Sequence, residues 1–191
     1  MVVNFIGPPC SSKTTTAALI FAQLKEKGIV CEFLVEEARH YIANKKWASK
    51  QSEVVLSDND QVQIFKDQLQ KLKIVKYSSP NSIVLLDSSP LNSLFYMSDA
   101  ALSTFGDKWI LETLSLVDLF FYSPSVGFTG NDPNRIHTAQ QISLIEDKID
   151  DVLRGYCDPI FPKLLPLSGS AKIRAQLGLG KILEKLYALT E

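Results

Sequence analysis

The sequence is poor in the residues that ligate transition metals. Its 191 residues include three cysteines and two histidines. Cys10, Cys31 and Cys157 have neither metal-ligand spacing nor the even count of a disulfide framework. Charge of either sign is also not in excess: 20 Lys and Arg stand against 21 Asp and Glu, for a net charge of −1. No global basic field therefore advertises nucleic acid. Local basic clusters occur at Lys45, Lys46 and Lys50 and again at Lys66, Lys71, Lys73 and Lys76, and the ordinary meaning of such scatter is a solvated helix face. No apolar run approaches the length of a membrane span. Residues 2–6 are too short for the apolar region of a signal peptide, and Asn4 interrupts them. Repeats and low-complexity tracts are missing as well. These absences predict a soluble, cytoplasmic chain. A hydrophobic content of 46% over this length predicts one domain spanning residues 1–191.

What is present concentrates near the beginning of the sequence. Val2–Ile6 is an apolar run that ends at Gly7, and Gly7, Pro8, Pro9, Cys10, Ser11, Ser12, Lys13, Thr14 and Thr15 follow as small residues opening a helical pattern. Strand, small-residue loop and helix start is the context of a phosphate-binding P-loop, G-x-x-x-x-G-K-[ST]. Gly7, Lys13 and Thr14 match, whereas Ser12 stands where the second glycine belongs. In such a loop successive backbone N–H groups turn inward onto phosphate oxygens, and the helix N-terminus adds positive potential. Lys13 would reach the β- and γ-phosphates, and the Thr14 hydroxyl would bind Mg²⁺. Serine at position 12 implies strain if that position needs a positive φ. Cys10 is read as a small loop residue.

The rest of the chain alternates between strand and helix patterns. A helix is expected over 13–27 with Gly28 as its C-terminal cap. A strand over 29–35, buried on both faces, runs into a helix beginning near Glu36. The segment 45–55 is open to either loop or helical flap. Ser57–Tyr77 reads as an amphipathic helix capped by Ser57 and Asp60, with Val62, Phe65, Leu69, Leu72 and Ile74 or Val75 inward. Ser82–Asp87 is the most strand-like run. Two short helices, 91–103 and 107–116, precede a strand over 117–122. Residues 125–137 form an irregular segment, read as a mobile lid. Thr138 and Gln141 suggest a capping box for a helix to about Arg154. A strand over 163–167 and a helix to Leu186, weakened at Gly178 and Gly180, complete the pattern. The fold class is therefore α/β, a three-layer P-loop fold around a central, mainly parallel five-stranded sheet. Ligands sit at the carboxyl ends of such strands. Gly7–Thr14, Glu36 and Glu37, Asp87 and the segment from Ser123 all fall there.

Asp87 closes its strand as a Walker-B acid does, to hold Mg²⁺ or activate a hydroxyl. Glu36 or Glu37 can take an acceptor's proton, so the base is Glu36, Glu37 or Asp87. Arg39 either pairs with an acceptor phosphate or salt-bridges Glu36 or Asp87. Arg135, with Asp132 to orient it and His137 nearby, would bring positive charge to a migrating phosphoryl group. Arg174, near the start of the last helix, is a candidate to stack on the nucleotide base, with packing or solvent exposure as the alternatives.

The strings Gly-Pro-Pro-Cys-Ser-Ser-Lys-Thr-Thr, Val-Glu-Glu-Ala-Arg-His-Tyr-Ile and Leu-Leu-Asp-Ser-Ser-Pro-Leu-Asn-Ser-Leu-Phe-Tyr resemble the P-loop nucleoside and nucleotide kinase group. The nearest branch is the ATPase/kinase family related to the nicotinamide riboside kinase domain, widespread in bacteria and bacteriophages. Asp132 to Arg135 is similar to that family's lid Asp-x-x-Arg, and Ser168-Gly169-Ser170 lies near its adenine loop. The resemblance implies phosphoryl transfer from ATP. Two positions depart from it: Ser88 stands where arginine often follows the strand-end aspartate, and Asn92 replaces a later aspartate. Both bear on the acceptor pocket. The expected function is Mg²⁺-dependent transfer from ATP to a nucleoside, nucleotide or related small molecule. The alternatives are a kinase for a modified nucleotide within DNA, which net charge disfavours but Lys45, Lys46 and Trp47 keep open, a regulatory ATPase that signals to a partner protein, and a degenerate nucleotide-binding module.

Overall fold

A computed structural model describes residues 1–50, 54–125, 139–156 and 164–188. Five parallel strands, β1 (Val2–Ile6), β2 (Cys31–Leu34), β3 (Ile83–Leu86), β4 (Leu119–Tyr122) and β5 (Leu164–Pro166), form one sheet in the order β2-β3-β1-β4-β5. The sheet is wholly parallel. β1 lies between β3 and β4, with Val3 opposite both Leu85 and Leu119. Because β1 leads to β2 on one side while β3 leads to β4 on the other, the chain changes direction between β1 and β3. A crevice opens at the carboxyl ends of that pair.

Alternation along β1 assigns the two faces. Val3 and Phe5 join Ala17, Ile20 and Leu24 of α1 (Lys13–Glu26) and Ala175, Leu179 and Ile182 of α7 (Ala171–Ala188). Val2 and Ile6 join Phe65, Leu69 and Leu72 of α3 (Asp58–Ser78), a 3₁₀ helix over Pro90–Tyr96, α4 (Asp99–Phe105), α5 (Asp107–Leu116) and α6 (Ala139–Tyr156). Helices on both faces of a parallel sheet bury its strands without a polar side, so β1 and β3 are apolar almost throughout. The exception is Asn4.

Local chemistry explains the element ends. Gly28, at φ 71°, ends α1: its N–H donates to the Lys25 carbonyl (2.9 Å) and that of Ile29 to the Leu24 carbonyl (3.0 Å), a Schellman closure. Ser57 and Asp60 form the expected capping box at α3.

Several expectations change. β2 is the sheet's edge, so Glu32 is exposed and Phe33 and Leu34 are half-buried; the strand is not buried on both faces. The helix expected over 91–103 is two elements, because Met97 is extended and Ser98 caps α4 by accepting the Ala101 N–H. On α3 the inward face is Gln61, Ile64, Phe65, Gln68, Leu69 and Leu72. Val62 and Val75 are only partly buried, and Ile74 faces solvent. Gly178 does not break α7; a Cβ there would lie 2.8 Å from the Ile20 Cδ1, so it is a close-packing contact between α7 and α1. Thr138 lies outside the described residues, as does Cys157.

Helix α2 (Glu37–Ser49) is unusual in having no buried residue. Polar contacts attach it to α3. Asp60 accepts from the Tyr41 hydroxyl (2.8 Å), Lys45 Nζ (2.5 Å) and the Ser57 N–H (2.7 Å). These partners, Lys45 first and the Ser57 N–H next, hold the Asp60 carboxyl well below its ordinary value of 3.8. A carboxyl depressed on folding stabilises fully above its unfolded value and loses that contribution as pH falls through the folded one. Asp60→Asn is therefore expected to lower the melting temperature at pH 7, with the deficit narrowing from about pH 4 downward. Thermal melts of the two proteins at pH 7 and pH 3 check this, and equal deficits would contradict it.

Candidate functional site

The loop between β1 and α1 has the backbone that a phosphate cradle requires. Gly7 has φ 153°, and a Cβ on it would lie 2.2 Å from the Ser123 carbonyl oxygen at the end of β4. No other residue fits there. Cys10 (φ 63°) and Ser12 (φ 61°) are both left-handed, which costs an L-residue about 1–2 kcal/mol each. Ser12 thus adopts the conformation for which the motif prefers glycine, and it is the N-cap of α1. Lys13 folds back over its own loop: Nζ donates to the Gly7 carbonyl (2.9 Å), the Pro8 carbonyl (2.6 Å) and the Ser11 hydroxyl (3.3 Å). Burial lowers its ammonium below the usual lysine range, opposed by Glu36 and then Asp87. Thr15 is exposed on the first turn.

Across the crevice, Asp87 follows β3 and is 3% exposed. Its Oδ2 accepts from the Thr14 hydroxyl at 2.8 Å. Its Oδ1 is buried and has no partner among the described residues. Burial raises the Asp87 carboxyl, against the lowering effect of the Thr14 hydrogen bond. Arg39 extends the network. Its Nε donates to Glu36 Oε2 at 3.0 Å and its Nη2 to Thr14 Oγ1 at 3.4 Å. Glu36, Arg39, Thr14 and Asp87 are therefore joined in one chain of contacts, with Lys13 in their field. Of the two readings for Arg39, the ion pair with Glu36 is the one present.

Glu36 and Glu37 separate clearly. Glu37 ion-pairs with Lys71, and its N–H donates to Gln68 Oε1 at 3.0 Å. Gln68 Nε2 in turn donates to the Ser88 carbonyl at 3.1 Å. This buried amide pins the start of α2 to the segment after β3. Asn92 Nδ2 donates to the Ser88 hydroxyl at 2.7 Å, while Asn92 Oδ1 is buried and unpartnered. Together Glu36, Glu37, Gln61, Gln68, Ser88 and Asn92 line much of a cleft of about 290 Å³, counting its open mouth.

Three sequence candidates stand elsewhere. Arg174 is 1% exposed, with Nε, Nη1 and Nη2 donating to the carbonyls of Gly169 (2.9 Å), Ser11 (2.7 Å) and Pro124 (3.1 Å). Its guanidinium is committed to the backbone, not offered to a base. Lys45 is paired with Asp60, and the 86%-exposed Trp47 lies ten residues along α2 from Glu37, about 15 Å at helical rise. Arg135, Asp132 and His137 lie outside the described residues.

Sequence reasoning missed Gln61, Gln68 and Asn4. Polar residues inside an apolar stripe were the available signal: Gln61 and Gln68 recur at a seven-residue interval on the inward face of α3. Asn4 sits mid-strand in β1, and its Nδ2 donates to the Ser89 hydroxyl at 3.0 Å, tying the loop that carries Asp87 to the central strand.

Thr14, Asp87 and the orphaned Asp87 Oδ1 suit a hard cation that takes oxygen ligands. Among the described residues no group of three or more His, Cys, Asp or Glu side chains forms a metal cage, so such an ion would share its shell with phosphate oxygens and water.

The strand order and the loop after β1 define a three-layer α/β P-loop fold, the fold class expected above. A family model described as "AAA domain" matches residues 2–161, and the chain belongs to that family. Its fold is similar to the NadR protein in complex with NAD and AMP-PNP (15% identity, 96% of this chain and 48% of that chain, TM-score 0.68). It is also similar to NadR in complex with NR (14%, 96% and 48%, TM-score 0.66) and to APE1195 (15%, 96% and 95%, TM-score 0.50). The chain spans about half the length of the NadR chains. No curated protein matches it. Among the described residues no helix is long and apolar enough to cross a membrane.

The raised Asp87 carboxyl makes a prediction of definite sign. A carboxyl raised by folding penalises the folded state, and the penalty builds as pH rises from 3.8 through the folded value and is complete above it. Asp87→Asn removes the charge and keeps an oxygen for Thr14. The nucleotide-free variant is expected to melt at or above the wild-type temperature at pH 7, with the difference vanishing by about pH 4. A variant that melts lower at pH 7 would show the carboxylate to be a net stabiliser.

Proposed function

We propose that the protein transfers the γ-phosphoryl group of ATP to the hydroxyl of a small, nucleoside-like acceptor. The observation that carries this reading is the continuous contact chain from the P-loop through Thr14 to Asp87 and through Arg39 to Glu36, beside a cleft lined with amides and hydroxyls. A phosphate cradle alone needs only the loop. A carboxylate standing between cradle and cleft is what transfer to a hydroxyl requires.

The loop amides and Lys13 hold the donor's phosphates, and Lys13 leaves its own loop carbonyls to do so. Thr14 and Asp87 would hold Mg²⁺, which would supply positive charge to the donor's phosphates. Glu36 takes the acceptor's proton, because Arg39 links it to Thr14 beside Asp87, whereas Glu37 is paired with Lys71 of α3. The new bond forms between the acceptor oxygen and phosphorus as the bridging oxygen departs with ADP. Arg135 is assigned from sequence alone to the transferring group. Among the described residues that line the cleft there is no Lys or Arg, and neighbouring Lys71 and Arg39 are each paired with a glutamate. This supports an acceptor without a phosphate of its own over a nucleotide or a DNA strand.

The test is ATP turnover with nucleosides, the matching monophosphates, and DNA as acceptors. Acceptor-dependent turnover is expected, greatest with the unphosphorylated compounds. Slow hydrolysis unchanged by every acceptor would leave the regulatory ATPase. Lys13→Ala is expected to abolish transfer. Glu36→Gln is expected to lower the acceptor-dependent rate by about 10²–10⁴-fold while ATP affinity changes little. A full rate in Glu36→Gln would move the base to Asp87 or Glu37.

A further inference from the structure

Arg174 is the largest fully buried side chain among the described residues, and the function above gives it no part. It touches three separate loops: the P-loop at Ser11, the end of β4 at Pro124, and the turn before α7 at Gly169. Among the described residues no carboxylate pairs with it, and burial alone accounts for the lowering of its guanidinium. A buried cation without a counter-charge is costly, so its position needs a reason beyond packing.

That reason lies in the peptide joining Ser11 to Ser12. The bond is trans, so its carbonyl and its N–H point in opposite directions. Arg174 Nη1 holds the Ser11 carbonyl at 2.7 Å on the α7 side of the loop. The Ser12 N–H is thereby turned the other way, toward the concave side that a phosphate nest uses. Ser12 resists this arrangement, since its φ of 61° is strained for any residue but glycine. Rotating this one peptide plane would carry Ser12 to a negative φ, relieve the strain and turn its N–H out of the cradle. Arg174 is what opposes that rotation.

We propose that Arg174 is a positioning residue that locks the Ser11–Ser12 peptide in its phosphate-binding orientation, compensating for the glycine that the P-loop lacks. The same guanidinium ties that peptide to the Pro124 carbonyl, so the phosphate loop and the chain leaving β4 share one anchor. Its positive charge, unmatched by a carboxylate among the described residues, would be complemented when the loop holds an anion. The proposal rests on the phosphate-binding reading of the loop.

A double-mutant cycle tests it, with Mg-ATP affinity measured by titration calorimetry on the full chain. Arg174→Met is expected to weaken ATP binding by about 10–100-fold, the value of a lost charge-assisted hydrogen bond. Arg174→Lys keeps the charge but cannot span three carbonyls. It is expected to fall between wild type and Arg174→Met, and it stands in should the methionine variant not fold. Ser12→Gly removes the strain that drives the rotation. It is expected to recover about fivefold or more of the affinity in either Arg174 background, a larger gain than it gives with Arg174 in place. A role in packing alone would lower the melting temperature without this selective rescue. ATP affinity unchanged in both Arg174 variants, or an equal effect of Ser12→Gly in every background, overturns the proposal. Absence of ATP binding by the wild type would instead remove the phosphate-site reading itself.

Discussion

Everything at this site depends on holding a short piece of backbone in a conformation it does not prefer. Between Gly7 and Lys13, three residues have positive φ, and two of them are not glycine. The loop must turn its N–H groups to one side, and that requirement fixes its surroundings. The Ser123 carbonyl leaves no space for a side chain at position 7. Lys13 closes the inside of the loop on the carbonyls of Gly7 and Pro8, and Arg174 closes the outside on that of Ser11. Strain of a few kcal/mol is comparable to a large share of a domain's net stability. It persists only where packing and hydrogen bonds over-determine the backbone.

The acceptor side follows a different rule. Helix α2 buries no residue and meets α3 through Asp60, Gln68 and Lys71. Apolar packing is non-directional, whereas these contacts specify orientation, and Glu36 sits one residue before the helix they orient. Polar attachment without a buried apolar face also marks an element of low local stability, the kind from which moving parts of enzymes are drawn. The rigid loop runs into α1 at Thr14, whose hydroxyl donates to Asp87 after β3 and accepts from Arg39 of the lightly held helix.

How much of this could be read from the chain differs between the two sides. The β–α alternation, the P-loop and Asp87 at a strand end were legible because strong local patterns carry them: an apolar run, then a glycine, then Lys-Thr. The five strands fall where expected and differ only at their ends. The burial of β2 was misjudged because an edge position depends on sheet order, which no window of residues contains. The roles of Glu36 and Glu37 were not separable, since what divides them is Lys71, thirty-four residues away, and Gln68, one α3 turn before it. Arg174 stayed open between base stacking, packing and solvent exposure for the same reason: its burial follows from three carbonyls that the fold brings together from distant loops.

The electrostatics bind the two halves into one argument. Two cations, Lys13 and Arg174, flank the phosphate loop, and burial disfavours the charged form of each. On the other side of the crevice the Asp87 carboxyl is also pushed by burial toward its neutral form. Each of these groups is more costly in the folded chain than in water, and none of the three is fully matched by its protein partners. Among the described residues Arg174 has carbonyls but no carboxylate, and Asp87 Oδ1 has no donor. On the proposed reading, a polyphosphate with a hard cation would supply what is missing to all three at once: negative charge to the lysine and arginine, and a positive centre to the aspartate. Charge preorganised in this way cannot be optimal for stability, because the same groups would have to be neutralised to stabilise the chain by itself. The unmatched charge is therefore the better guide to this protein's work than any one motif. It points to phosphate from three separate elements, α1, β3 and α7, of which only the first carries a recognisable signature.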